Sequence, residues 1–293
     1  MWLNNKEKDP AVFKEGVVEV CETYKVAKTL HEERGTRTMS TDEMTGIQAL
    51  ERSAPSQPMK PGQVTRDEFE YTRHGTTTAI ANLDVVTGKL TARLGPTRTE
   101  EDYANFIDAT VATDRQVEWV FIHDNLNTHC SATLVQRVAE NCGITADLGV
   151  KGVSGILKNQ ASRREFLSDK SHRIRFVYLP KHSSWLNQIE ILFGISQRKV
   201  LRGSSFDSVT ALEEQLRDFI THYNTTRAHP SAGPTPGNRS TNPNEPRSSQ
   251  PTTVSNCKTL LRIGAETTVG LAALSPRPGF AGRGLGVLGT GPP

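Results

Sequence analysis

Asp42, Asp124 and Glu190 stand in sequence contexts where a carboxylate can do chemistry. Asp42 and Asp124 each follow a short β-prone or apolar segment, residues 37–41 and 117–123. In open α/β sheets, ligands gather at the carboxyl ends of strands. Glu190 lies within Ile189-Glu190-Ile191-Leu192-Phe193, so part of its surroundings is expected to be buried. A buried carboxylate is costly unless a cation offsets it. Three such acids brought together would make an oxygen-rich site for Mg2+ or Mn2+. Two ions about 4 Å apart can activate a water and stabilise the leaving oxygen of a phosphodiester. An aspartate at a strand end is also a common turn former or helix cap, and spacing alone does not bring the three together.

Their neighbours support the first reading. Asp124 sits in FIHDNLNTHCS, flanked by His123, Asn125, Asn127 and His129, the imidazoles and amides that orient ligand carboxylates. Asn187 precedes Glu190 by three positions, so amide and carboxylate can share a helix face. Ser183 or Ser184 can cap that helix. A zinc site from His123, His129 and His182 is the competing constellation, without an HxxxH pair on a helix to support it.

The elements that must position these residues follow from periodicity and punctuation. Residues 11–30 read as an amphipathic helix. Residues 71–86 read as a strand, Thr87-Gly88 as a turn, and residues 89–94 as the returning hairpin strand. Thr99 opens a helix with Glu100, Glu101 and Asp102 in its first turn. Residues 117–123 and 174–179 are compact apolar strands, and residues 131–141, 185–201 and 206–223 are helical. Residues 51–63 and 143–170 read as irregular. A hairpin followed by alternating strands and helices implies a mixed α/β sheet with helices on its faces.

Composition bounds the rest. The chain has 293 residues, 35% of them hydrophobic and 23% charged. That suits one large or two modest domains with a proper core. No run of about 18 apolar residues is present, and MWLNNKEKDP lacks the layout of a secretory signal. Four scattered cysteines show neither CxxC nor zinc-finger spacing, so a reducing cytosol and no structural zinc are expected. The formal net charge of +3 conceals a strongly basic block. Residues 151–202 carry 11 Lys and Arg against 3 Asp and Glu, whereas residues 1–150 carry 16 against 23. From residue 231 on, 10 Gly and 9 Pro in 63 residues mark a tail expected to be disordered.

STDEMTGIQALER, PMKPGQ, YTRHGTTTAIANLDVVTGK, FIHDNLNTH, LPKHSSWLNQIEILF and FITHYNTTRAHP occur in order over residues 39–230. These blocks resemble the DDE-type transposases of bacterial insertion sequences, in particular the mariner-like insertion-sequence 630 family. The resemblance implies a ribonuclease H-like fold with a five-stranded mixed sheet flanked by helices. It implies Asp42, Asp124 and Glu190 as the catalytic triad and as ligands of two Mg2+ or Mn2+ ions. His123, Asn125 and Asn187 are expected to orient them. The activity implied is cleavage of double-stranded DNA at transposon ends and transfer of the strands to target DNA, by a homodimer. Lys181, His182, Arg198, Lys199 and Arg202 are the expected DNA contacts. Neither a membrane nor a small-molecule substrate is expected, and the location is the bacterial cytoplasm, on the nucleoid.

Under the same resemblance, residues 1–35 are expected to be a helical linker following an absent helix-turn-helix region, and residues 36–230 the catalytic domain. Residues 143–170 are expected to be a basic insertion, lengthening the interval between the second and third acids. Relatives tend to continue FRWTYTG after His-Pro, and a one-base shift of a coding for that segment yields SAGPTPG, as at residues 231–237. The tail is therefore expected to be a frameshift product; the leading reading is a transposase catalytic domain, with a truncated, inactive copy as one form of it. A stand-alone ribonuclease H-like nuclease and a catalytically dead DNA-binding remnant are the alternatives.

Overall fold

The computed structural model describes residues 10–66 and 68–230. The tail expected to be disordered and frameshifted, residues 231–293, lies outside the described residues. Strands β1 (Arg37–Arg52), β2 (Tyr71–Asp84) and β3 (Leu90–Gly95) form an antiparallel meander. Strands β4 (Trp119–His123) and β5 (Ile174–Tyr178) extend the sheet in parallel from β1, in the order β3-β2-β1-β4-β5. This is the ribonuclease H-like mixed sheet that the resemblance implies.

β4 and β5 are parallel strands covered on both sides. All five residues of β4 are buried, which explains its unbroken apolar run WVFIH. One face carries Met39, Trp119, Phe121, Phe176 and Tyr178 and packs on helices α2 (Glu100–Val111) and α3 (Ala132–Cys142). The opposite face carries Val120, Ile122, Val177 and Leu179 under Val17 and Val20 of α1 (Pro10–Arg34). Helices α5 (Ile189–Ser196) and α6 (Val209–Thr226) continue that layer over β1, β2 and β3. The α1 stripe is narrower than the sequence predicts: Val12 is 54% exposed.

Two expectations are corrected. β1 does not stop at Thr41 but runs to Arg52, because β2 supplies ladder partners for its polar second half, with register shifts between Met44 and Ile47 and between Gln48 and Leu50. The interval 143–170 is not irregular throughout. It contains α4 (Gln160–Leu167), capped by Asn159, and buries Leu157 and Leu167 in the α2–α3 core.

α2 confirms its expected start. Thr99 and Asp102 form a reciprocal capping box. Asp102 also accepts hydrogen bonds from Thr97, 2.6 Å, and Arg93, 2.7 Å. Hydrogen bonds from Thr97, Thr99 and Arg93 hold its carboxyl well below the ordinary carboxylate range, outweighing its slight desolvation. Asp102→Ala should lower stability by about 1 kcal/mol in neutral urea titrations. A depressed acid stabilises the fold above its unfolded pKa and loses that contribution on acidification, so the difference should shrink as pH falls below about 4.

Candidate active site

The parallel pairing of β1 with β4 aligns Arg37 with Trp119 and Ser40 with Ile122. Continued in the same register, this offset sets Asp42 level with Asp124. Because side chains alternate along a strand, both acids fall on the face covered by α1 and α5. Asp42 lies within β1, opposite Ala81 of β2, rather than after a strand end. Asp124 is the first residue beyond β4, and Glu190 sits in the first turn of α5.

Asp42 is 8% exposed. Its Oδ1 accepts from the Glu43 amide, 2.8 Å, and its Oδ2 from Asn187 Nδ2, 3.0 Å. Asn187 is itself fixed on several sides. Its Nδ2 also donates to the Thr41 carbonyl, 2.9 Å, and its Oδ1 accepts from the Ser40 hydroxyl. Ser40 Oγ accepts in turn from the Ile189 amide, 3.1 Å, and from the Tyr24 hydroxyl, 3.3 Å. Asn187 therefore ties the entrance of α5 to β1 and aims its amide at Asp42, not at Glu190. The α5 N-cap is Gln188, without a side-chain cap, and Ser183 Oγ donates to the Pro180 carbonyl. Neither serine caps α5.

Asp124 Oδ1 accepts from the Leu126 amide, 2.9 Å, and from His129 Nδ1, 2.7 Å. His129 Nε2 is 3.1 Å from Glu43 Oε1. Burial alone would discharge His129, but its hydrogen bonds to Asp124 and Glu43 raise it to about 9. Burial raises Asp124, yet the bond and charge of His129 outweigh it and leave this acid below its ordinary value. Asp42 is pushed up to about 7, by burial first, with the negative charges of Asp124 and Glu190 adding to it. Glu190 is raised by partial desolvation and by Asp124.

Asp42 thus feels the charges of Asp124 and Glu190, and Glu190 lies on the exposed side of α5. Among the described residues, no three His, Cys, Asp or Glu side chains stand close enough to cage an ion as they are. No salt bridge reaches Asp42 or Glu190 among the described residues.

The remaining expected residues divide. Asn125 Nδ2 donates to the Leu179 carbonyl and stitches the turn after β4 to the end of β5. His123 is not brought to any carboxylate. It is fully buried against Tyr178 and Phe176, neither ring nitrogen has a hydrogen-bond partner, and burial drives its pKa well below the ordinary value. It belongs to the α2–α3 core behind the sheet, where its ring lies 4.9 Å from that of His129. His182, exposed and with a left-handed φ of 60°, shares a turn with Lys181 on the way from β5 to Glu190. That turn leans on α1, where a Cβ on Gly16 would lie 2.9 Å from Pro180 Cγ.

Arg198 and Lys199 are exposed on the π-helical turn Gln197–Leu201 after α5. Arg202 lines a groove of about 520 Å³ with Arg52, Phe69 and Tyr71; none of the three acids lines it. The basic block is not one surface. Arg163 and Arg173 donate to backbone carbonyls, and Arg164 lies 4.6 Å over the Tyr178 ring. Sequence reasoning missed Glu43, Ser40 and Tyr24, whose roles emerge only once β1 has a register.

The family model for the DDE superfamily endonuclease matches residues 37–213, which contain all three acids, and that for the integrase core domain matches residues 190–240. Among solved structures, a Mos1 mariner paired-end complex with Mn is 14% identical with a TM-score of 0.45, covering 75% of this chain and 58% of that one. The Mos1 strand transfer complex is 17% identical with a TM-score of 0.44, covering 73% and 53%. The catalytic domain of Mos1 mariner transposase is 12% identical with a TM-score of 0.41, covering 75% and 85%. This chain thus spans less than two thirds of the length of the first of these. A comparison with curated proteins finds no match. Among the described residues, no helix is long and apolar enough to cross a membrane.

Proposed function

The chain belongs to the DDE superfamily endonucleases, and on that footing we propose that it carries the catalytic unit of an insertion-sequence transposase. Its substrate is double-stranded DNA, cut at the transposon ends and joined to a target, with two copies of the chain acting together. The observation that carries this reading is the level placement of Asp42 and Asp124 on one sheet face, with Glu190 as their electrostatic neighbour.

The donor set fits a divalent cation. It consists of carboxylate oxygens, the donors that Mg2+ and Mn2+ prefer; burial first, and then the negative charge of the neighbouring acids, raises both Asp42 and Glu190. Asp42, Asp124 and Glu190 would hold two such ions, which supply water activation and charge stabilisation at a leaving oxygen. Asn187 keeps the Asp42 carboxylate oriented, and His129 does the same for Asp124. The reaction is an in-line displacement at phosphorus. An attacking water oxygen forms the new P–O bond as the bond to the 3′ oxygen breaks, leaving a 3′ hydroxyl and a 5′ phosphate. That hydroxyl then displaces a 3′ oxygen in target DNA by the same geometry.

Lys181 and His182 before Glu190, and Arg198, Lys199 and Arg202 after it, are exposed groups suited to phosphate contacts, which are independent of base sequence. The test is cleavage of a supercoiled plasmid carrying the two DNA ends that flank this reading frame. Nicking with Mg2+ or Mn2+ that chelator abolishes, followed by joined products with a second plasmid, is the expected result. Nicking without joining would leave a nuclease, and no cleavage with either ion would overturn the reading.

A further inference from the structure

We propose that Glu43 and His129 form a buried strut that fixes the Asp124 carboxylate for ion binding; this assignment rests on the metal-binding reading of Asp124. Consecutive residues of a strand point to opposite faces. Asp42 therefore faces α1 and α5, while Glu43 faces the α2–α3 layer, where the turn Asn127–Cys130 holds His129. His129 spans the two acids, with Nδ1 2.7 Å from Asp124 Oδ1 and Nε2 3.1 Å from Glu43 Oε1. Each ring nitrogen thus lies within hydrogen-bond distance of a carboxyl oxygen, an arrangement in which the imidazolium can donate to both acids at once.

The imidazole is held from other directions as well. Tyr178 donates to the His129 carbonyl, 3.1 Å, and the Tyr103 ring lies 4.3 Å away, centroid to centroid. The His129 side chain is fully buried, and that of Glu43 is 2% exposed. A carboxylate so placed is expensive to bury, and its one side-chain partner among the described residues is the ring that touches Asp124.

The consequence at Asp124 is asymmetric. His129 and the Leu126 amide both donate to Oδ1, whereas Oδ2 takes no hydrogen bond from the described residues. The strut therefore occupies one oxygen and presents the other. Glu43 and His129 are positioning residues, touching neither ion nor DNA.

The test is Mn2+ binding by titration calorimetry without DNA, alongside thermal unfolding in chelator. Glu43→Gln keeps the volume and removes the charge. It should weaken Mn2+ binding about tenfold, the usual cost of losing a group that orients a ligand, without lowering the unfolding temperature in chelator. His129→Ala should weaken binding at least as much, and the double variant no further than His129→Ala alone. Should His129→Ala not fold, Glu43→Leu takes its place and must weaken binding at least as much as Glu43→Gln. Parental affinity in Glu43→Gln, or additive losses in the double variant, would overturn the strut. Asp124→Asn separates the two levels: lost binding there with full binding in Glu43→Gln sinks the strut alone. Unchanged binding in Asp124→Asn sinks the metal reading and the strut with it.

Discussion

Asp42→Asn should abolish DNA cleavage and, in the same protein freed of metal, raise stability at alkaline pH. The first effect is a loss of roughly a thousandfold or more, since an ion held at this site supplies several kcal/mol of charge stabilisation. The second follows from the strain on Asp42, which burial and the charges of Asp124 and Glu190 push up to about 7. An acid whose folded value lies above its unfolded one binds more protons in the folded state, so the fold loses stability as pH rises between the two. The loss grows from about pH 4, the ordinary aspartate value, to about 7, and is complete above it.

Its size is about 4 kcal/mol. The asparagine introduced in place of Asp42 would set one amide against the Asn187 amide that now donates to Oδ2, a mismatch costing about 1–3 kcal/mol. A net gain of about 2 kcal/mol is expected at pH 8.5. At pH 4 only the mismatch remains, so the order should reverse. Urea unfolding in chelator at the two pH values decides it, and a variant less stable than its parent at pH 8.5 would show that Asp42 is an ordinary, well-accommodated carboxylate.

Leu167→Ala should cost about 3 kcal/mol, within the usual range for emptying a buried leucine site. For a folded unit of this size, that lowers the unfolding midpoint by roughly 10 °C. Leu167 is fully buried on α4 within the core that also contains Trp119, Phe121 and Phe176 of the sheet. If the interval between the second and third acids were a loop laid on a finished domain, the same substitution would cost well under 1 kcal/mol. A denaturation midpoint near the parental one would therefore remove α4 from the core.

These two residues also mark where the sequence was legible and where it was not. The run WVFIH announces a strand buried on both faces, and the three acids after Thr99 announce the start of α2, because each depends only on neighbours in the chain. Asp124, one residue beyond that strand, was legible for the same reason. β1 was cut short because Asp42, Glu43 and Gln48 lack the apolar signal of a strand; what extends it is pairing with residues 71–84, which no local pattern displays. α4 was overlooked because Arg163, Arg164 and Glu165 interrupt any apolar pattern along it and only Phe166 and Leu167, at its end, reach the core. Part of the surroundings of Glu190 was expected to be buried from its apolar neighbours, and Ile189 and Leu192 do turn inward; the carboxylate itself is turned outward by helical geometry, which apolar neighbours alone do not display. Glu43 could not be chosen at all until the register put it on the far side from Asp42.

That register has a temporal side. Asp42 and Asp124 are separated by 82 positions and Asp124 and Glu190 by 66, and the β1–β4 ladder that aligns the acids closes only after β2, β3 and α2 have been made. Contacts this distant in sequence form late, because chain entropy opposes them until the local elements are in place. A growing or half-folded chain can thus hold its antiparallel meander and still lack two of its three acids. The capacity to break DNA would then arrive in one step with the final strand pairings, so incomplete chains carry none of it.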